Sequence, residues 1–243
     1  MADCQQTYGE LVMNQMLSAD SVALLQQAMM LPDDMTIDKL LTADEMARLN
    51  SYLKNVIGMD LTNPLLNQQM GKMSPSCLNY TLSMLNYMKK EGIVDTSNLI
   101  DEYFQKEALA QGKGVGGLET VGFQKDVLFK GQTLERQKEL LMCMVDNAEF
   151  MDEMADKTRR AYYLQDIEGI KEAMDEKLQN SCDQTPEEED LMINNRNADW
   201  VAKMPAIMSQ KPTLFAVGAA HLPGKKGVLN LLRESGYDVE PMK

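Results

Sequence analysis

The stretch Thr213-Leu214-Phe215-Ala216-Val217-Gly218-Ala219-Ala220-His221-Leu222-Pro223-Gly224 constrains the fold more than any other part of this chain. Its first five residues, TLFAV, carry no charge and include Val, Phe and Thr, the pattern of a short buried strand. Small residues follow, then His221, the only histidine in the sequence. Leu222-Pro223-Gly224 is a turn signal. Lys225 to Ser235 then reads as a helix, closed by Gly236 where a left-handed residue commonly ends one. Tyr237-Asp238-Val239-Glu240 is a second strand candidate. Together these form a strand–turn–helix–strand unit of about thirty residues, the size of one βαβ crossover. Ligands of such units bind outside the carboxyl ends of the strands, and His221 lies at that end. A lone histidine there is either a polar cap on the strand or a ligand-binding group, and pattern alone leaves both open.

The rest of the chain is mostly helical in character. Leu11 to Leu31 carries apolar residues at helical spacing and breaks at Leu31-Pro32. Thr42-Ala43-Asp44-Glu45 is a capping box for a helix that runs to about Ile57 and stops at Gly58. Ser74-Pro75 opens another, and Gly92 ends it after Lys89 and Lys90. Asp95 to Gln111 predicts a further helix, so residues 1–112 form a mainly helical region. The texture changes at Lys113-Gly114-Val115-Gly116-Gly117-Leu118-Glu119-Thr120. These glycines are not a phosphate loop, because no lysine and hydroxyl follow them at the required spacing. Gln132 to Ala155 predicts one long amphipathic helix, and Glu168 to Gln179 another. Thr185-Pro186-Glu187-Glu188 is a second capping box, opening a helix through Arg196 and Trp200 to about Pro205. Its acidic run, Glu187 to Asp190, reads as a solvated helix start and not as a metal site. The expectation is a helix-rich α/β fold, with a small, mostly parallel sheet and a large helical region packed beside it. Residues 1–243 are read as one domain, with the strands and the His221 unit in 113–243.

The segment VGAAHLPGKKGVLNLLRESGYDVEP resembles the C-terminal signature of the TraB/GumN family, relatives of the Tiki metalloproteases. That signature is a Gly-x-x-His at a strand end, then Leu-x-Gly and a helix. Other pieces match in order. Gly58-Met59-Asp60 resembles the family's Gly-x-Asp. Leu118-Glu119-Thr120 with Gln124 resembles its Leu-Glu-Thr…Gln, and Arg196-Asn197-Ala198-Asp199-Trp200 its Arg-Asn-x-x-Trp. The likeness covers most of the chain. It implies a site at the strand ends, with His221 and Glu119 as ligands of a divalent metal and as catalytic groups. It also places Arg196 and Gln124 at the substrate, and Glu119 at the end of an inner strand. Read without the likeness, Glu119 caps the following helix, and Arg196 forms a salt bridge with one of many acids. The family carries a second Gly-x-x-His on its first strand, and this chain has no second histidine. The chain therefore reads as a shortened member whose N-terminal strands have already passed at Met1, with half of the site absent.

Two functions follow from the resemblance. One is a metal-dependent hydrolase of peptides, in which the metal polarises a carbonyl and activates water. The other is a non-catalytic regulatory protein that binds a peptide or protein partner, as the pheromone-shutdown members suggest. Composition removes several alternatives. The net charge of −13, from 24 basic and 37 acidic residues, disfavours nucleic acid. No Gly-x-Ser-x-Gly elbow accompanies His221, and no cysteine lies in a setting that would lower its pKa. Cys4, Cys77, Cys143 and Cys182 have no Cys-x-x-Cys spacing and allow up to two disulfides or free thiols. The 21 methionines read as core filler, with an adaptable peptide groove as the alternative. No apolar run reaches the ~20 residues of a membrane span. The polar, acidic start is not a signal peptide, although the resemblance implies an extracytoplasmic bacterial protein.

Overall fold

A computed structural model describes residues 3–93 and 99–242. The chain divides into two compact units. The first comprises Met1–Ser18, Asn98–Gln124 and Asp152–Lys243, and the second Ala19–Ser97 and Lys125–Met151.

The first unit is built on a three-stranded parallel sheet, β1 (Gln6–Gly9), β2 (Gly114–Gly117) and β3 (Thr213–Ala216), in the order β2-β1-β3. Gln6, Thr7, Tyr8 and Gly9 pair in register with Gly114 to Gly117 on one side and with Thr213 to Ala216 on the other. Gln6–Gly9, a strand that the sequence reading did not predict, is the central one. Its sequence, QTYG, hides it, because two of its four residues are polar yet buried. Gln6 tolerates burial by donating from Nε2 to the Ile207 carbonyl at 3.1 Å and to Thr213 Oγ1 at 2.7 Å. The Thr7 hydroxyl has no hydrogen-bond partner among the described residues. One expectation is corrected: β2 is an edge strand and not an inner one.

Successive strand residues face opposite sides of a sheet, and each side of β1 takes one helix. Tyr8 lies with Phe215 in the cluster of Leu118, Trp200, Val201, Met204 and Val228, most of it supplied by the Asn195–Met208 helix. Gly9 faces the Ile100–Ala110 helix, where an added Cβ would lie 2.7 Å from Gln105 Nε2. Gln105 in turn donates to the Leu11 carbonyl at 2.7 Å and accepts from the Met13 amide at 2.9 Å, fastening the chain just beyond β1. Of the helix expected over Asp95 to Gln111, residues 95–98 lie outside the described residues.

Tyr8 also accounts for a glycine. Its ring covers Gly116, its partner on β2, and a Cβ there would come within 2.3 Å of the ring. Gly116→Ala is expected to destabilise the chain by about 1–3 kcal/mol through overpacking. Thermal unfolding checks this, and Tyr8→Ala in the same chain should remove most of the effect of the alanine. An unchanged melting temperature would refute the contact.

The end of the chain departs from the expected crossover. The helix is confined to Val228–Glu234, and residues 225–227 belong to a turn closed by the Gly227 amide on the Gly224 carbonyl at 3.1 Å. No strand forms over 237–240. Beyond Gly236, with φ +90°, the Tyr237 amide bonds back to the Leu232 carbonyl at 3.1 Å, and Arg233 Nη2 bonds the Val239 carbonyl at 3.1 Å. The segment is spent on closing the helix, and it keeps Asp238 and Glu240 exposed.

The second unit is helical. Leu49 and Leu53 of Ala43–Ile57, Leu78 and Leu82 of Pro75–Glu91, and Leu141, Met142 and Met144 of Leu134–Asp146 form its core. Both predicted N-termini hold. Thr42 and Glu45 make the reciprocal capping box, and Ser74 caps through the Cys77 amide with Pro75 in the first turn. Gly58 (φ +80°) and Gly92 (φ +65°) end these helices in the left-handed conformation. The long helix expected over Gln132 to Ala155 is two, Leu134–Asp146 and Ala148–Tyr163. Asn147 separates them at φ −119°, with its side-chain amide on the Cys143 carbonyl at 2.9 Å. Cys4 and Cys77 are free thiols, which leaves room for at most one of the two allowed disulfides. None of the described helices is long and apolar enough to cross a membrane.

Candidate functional site

In a parallel sheet all carboxyl ends lie on one side, and each strand here delivers one part of a polar cluster there. Glu10 follows β1, Glu119 follows β2 after Leu118, and the turn Ala219–His221 follows β3. The Asn195–Met208 helix supplies Arg196, Asn197 and Trp200. Residues 196, 197 and 200 share one helix face by the i, i+1, i+4 spacing. Immediately before this helix, Asp190–Asn194 is a π-helical turn, in which the Asn195 amide bonds the Asp190 carbonyl five residues back. This wider turn displaces the ordinary four-residue ladder, and the Met192 carbonyl accepts from Arg196 Nη1 at 2.9 Å.

Arg196 is the centre of the cluster. Nε donates to Glu119 Oε1 at 2.7 Å and Nη2 to Glu119 Oε2 at 3.0 Å, a bidentate pair. Nη2 also donates to Glu10 Oε2 at 2.8 Å. Nη1 donates to the Met192 carbonyl and, at 3.2 Å, to His221 Nε2. A guanidinium has five N–H groups, and all five are engaged. The side chains are well buried, with Arg196 5% exposed, Glu119 1% and Glu10 20%. The neighbouring carboxylates raise the Arg196 pKa against the opposing effect of its burial, which is the largest single influence.

The acids are equally occupied. Glu119 Oε1 also accepts from Trp200 Nε1 at 2.9 Å, and Oε2 from Gln124 Nε2 at 3.4 Å. Gln124 Nε2 reaches Glu10 Oε2 at 3.1 Å, and the Gly218 amide donates to Glu10 Oε1 at 2.9 Å. That last bond ties the end of β1 to the end of β3. Glu119 does not cap the following helix: the Thr120 hydroxyl does, accepting from the Phe123 amide at 3.2 Å.

His221 is held from both sides. Asn197 donates from Nδ2 to the Lys226 carbonyl at 2.8 Å, so its Oδ1 faces the imidazole and accepts from His221 Nδ1 at 2.6 Å. The ring is therefore the Nδ1–H tautomer, with the Nε2 lone pair taken by Arg196. Trp200 lies against the ring with centroids 4.4 Å apart, and the Arg196 guanidinium carbon sits 5.0 Å from the Trp200 ring centroid. Burial first, and then the adjacent Arg196 charge, push the His221 pKa down from 6.5 to about 4, against a smaller upward pull from Glu119. His221 is uncharged at neutral pH.

The four residues picked from the sequence, Glu119, Gln124, Arg196 and His221, thus meet in one cluster. Sequence reading missed Glu10 and Asn197. Asn197 stood inside the quoted Arg-Asn-x-x-Trp segment and lacked only a partner. Glu10 had a usable signal, an acid directly after a glycine at a strand end, but QTYG did not read as a strand. Gly58-Met59-Asp60 lies in the second unit. There Asp60 accepts from Lys54 Nζ at 2.7 Å and from the Thr62 amide at 2.9 Å, and these bonds hold its carboxyl at about 2.

A divalent metal does not fit this donor set. A metal ligand must offer a lone pair, and the His221 Nε2 lone pair points at a guanidinium 3.2 Å away. Both Glu119 oxygens are bonded to the same guanidinium. A cation placed between them would displace Arg196 or face its charge at close range. Among the described residues no three His, Cys, Asp or Glu side chains converge to hold an ion.

Compared with known proteins, the chain matches the model of the TraB/PrgY/gumN family over residues 1–241. Neither the curated proteins nor the solved structures yield a match.

Proposed function

The chain belongs to the TraB/PrgY/gumN family, and from that premise we propose that it is a non-catalytic, regulatory member that binds a peptide or protein partner. One observation carries this reading: every N–H of Arg196 is satisfied inside the cluster, and its charge is balanced by Glu10 and Glu119. An arginine used in catalysis or substrate binding keeps donors for the ligand, and this one has none to spare. Hydrolysis further requires an activated water and a group to take its proton. His221 is neutral with both ring nitrogens bonded, and Glu119 is almost wholly buried beneath Arg196 and Trp200. The cluster instead ties the ends of all three strands to one helix, which gives a rigid platform of the kind a binding surface needs.

The competing reading is the metal-dependent peptide hydrolase, with His221 and Glu119 as ligands. Elemental analysis of the purified chain beside His221→Ala separates the two, together with a peptide-hydrolysis assay in added zinc, manganese and cobalt. The expected result is no stoichiometric metal in either protein and no hydrolysis above buffer. About one equivalent of metal in the wild type, lost in the variant, would establish the hydrolase and end the binding reading.

A further inference from the structure

The Leu222–Lys225 turn, which follows His221 in sequence, lines a cleft of about 280 Å³. Its walls come from that turn, from one side of the Val228–Glu234 helix and from the start of the Ile167–Asp175 helix, all within the first unit. Ile167, Pro223 and Leu229 give it an apolar lining, and Lys225 and Arg233 give it two cations. Glu168 also lines it, so the lining carries one net positive charge. That sign runs against a chain whose net charge is −13. Neither cation has a carboxylate partner among the described residues: Arg233 donates to the Val239 carbonyl, and no ion pair involves Lys225. Their neighbours Lys171 and Lys226 do have such partners, in Asp175 and Asp190.

The backbone keeps the cleft in shape. Gly224 stands at φ +84°, and a Cβ there would meet Lys171 Cε at 2.9 Å. The positive φ is what calls for glycine at this turn, since the Lys171 side chain is free to swing aside. Asn230 Nδ2 braces it from the other side by donating to the Lys225 carbonyl at 2.8 Å.

We propose that this cleft is a second site, distinct from the Arg196 cluster, for a ligand that carries a carboxylate on an apolar body, such as the C-terminal residue of a peptide. The apolar lining takes the side chain, and Lys225 and Arg233 take the carboxylate. The site does not depend on the binding role proposed above, since none of its residues belongs to the cluster.

The test is a titration of the full chain with N-acetyl-leucine and with N-acetyl-leucinamide, which has the same apolar body without the charge. Backbone amide shifts of Gly224 and Asn230 are followed by NMR. Both ligands are then titrated into Lys225→Ala/Arg233→Ala, and inorganic phosphate into the wild type. The acid is expected to give saturable shifts at these residues and to bind at least ~10-fold more tightly than the amide, as one charge-assisted contact allows. The double variant should lose that preference while its folded spectrum is retained. Equal binding of acid and amide, no saturable shift with the acid, or an unchanged preference in the double variant would each overturn the proposal. Phosphate binding as tightly as the acid would overturn it too, since the apolar lining would then play no part.

Discussion

Arg196→Met is expected to destabilise the first unit by about 3–5 kcal/mol. The change roughly keeps the volume and removes the charge. It leaves Glu119 and Glu10 close together with no cation between them, one of them almost wholly buried. Breaking a buried ion pair from one side costs this much because an uncompensated charge remains, whatever the net worth of the intact pair. Four of the bonds around Glu119, Glu10 and the Met192 carbonyl disappear with it, and so does the bond to His221. Trp200 is the only tryptophan in the chain and lies in the cluster, so urea unfolding followed by its fluorescence reports on this unit. A loss under ~1 kcal/mol, of the size found for surface ion pairs, would show that the cluster does not hold the strand ends together.

Trp200→Ala is expected to cost about 3–5 kcal/mol by a different route. The indole is fully buried and packs among Leu118, Val201, Met204 and Val228, so its removal leaves a large cavity. It also deprives Glu119 of the indole N–H at 2.9 Å. Trp200→Phe separates the two contributions. It keeps most of the volume and loses the hydrogen bond to a charged acceptor, at a cost of about 2 kcal/mol. Circular dichroism melting measures both variants, since neither retains the fluorescent probe. Equal losses in the two would mean that the hydrogen bond, not the packed volume, is what Trp200 contributes.

The sequence made the helices legible wherever a local signal marked both ends. Thr42 with Glu45, Ser74 with Pro75, and Thr185 with Glu188 all cap as expected, because a cap depends on residues within one turn. The strands were harder. TLFA announced itself by being apolar, whereas QTYG is buried by position: it is central, and its polar groups are satisfied by residues some 200 positions away. No local pattern carries such a pairing. The false strand at 237–240 shows the converse, a locally plausible segment with no neighbour to pair with. In the site, the resemblance singled out Glu119, Gln124, Arg196 and His221, and the four side chains lie together. It could not show what they do to one another. That Arg196 fills the space between the acids and the histidine is a matter of ångströms, and so is the engagement of all its donors within the cluster.

The same geometry fixes the behaviour of His221 with pH. Its pKa is lowered in the folded chain, from 6.5 to about 4, by burial and by Arg196. Between those values the unfolded chain binds the extra proton and the folded chain does not. Stability should therefore fall as the pH drops from about 6.5 to about 4, by an amount on the order of 3 kcal/mol, and His221 should contribute no further loss below that. Because the chain has a single histidine, one imidazole signal in a nitrogen-15 NMR titration reports this site without assignment. That titration tests most directly whether His221 is a neutral ring locked between Asn197 and Arg196. The predicted result is an Nδ1-protonated, uncharged ring at neutral pH that titrates near 4. A ring that titrates at 6.5 or above, or that carries its proton on Nε2, would contradict the cluster as described and return His221 to the set of groups free to bind a ligand.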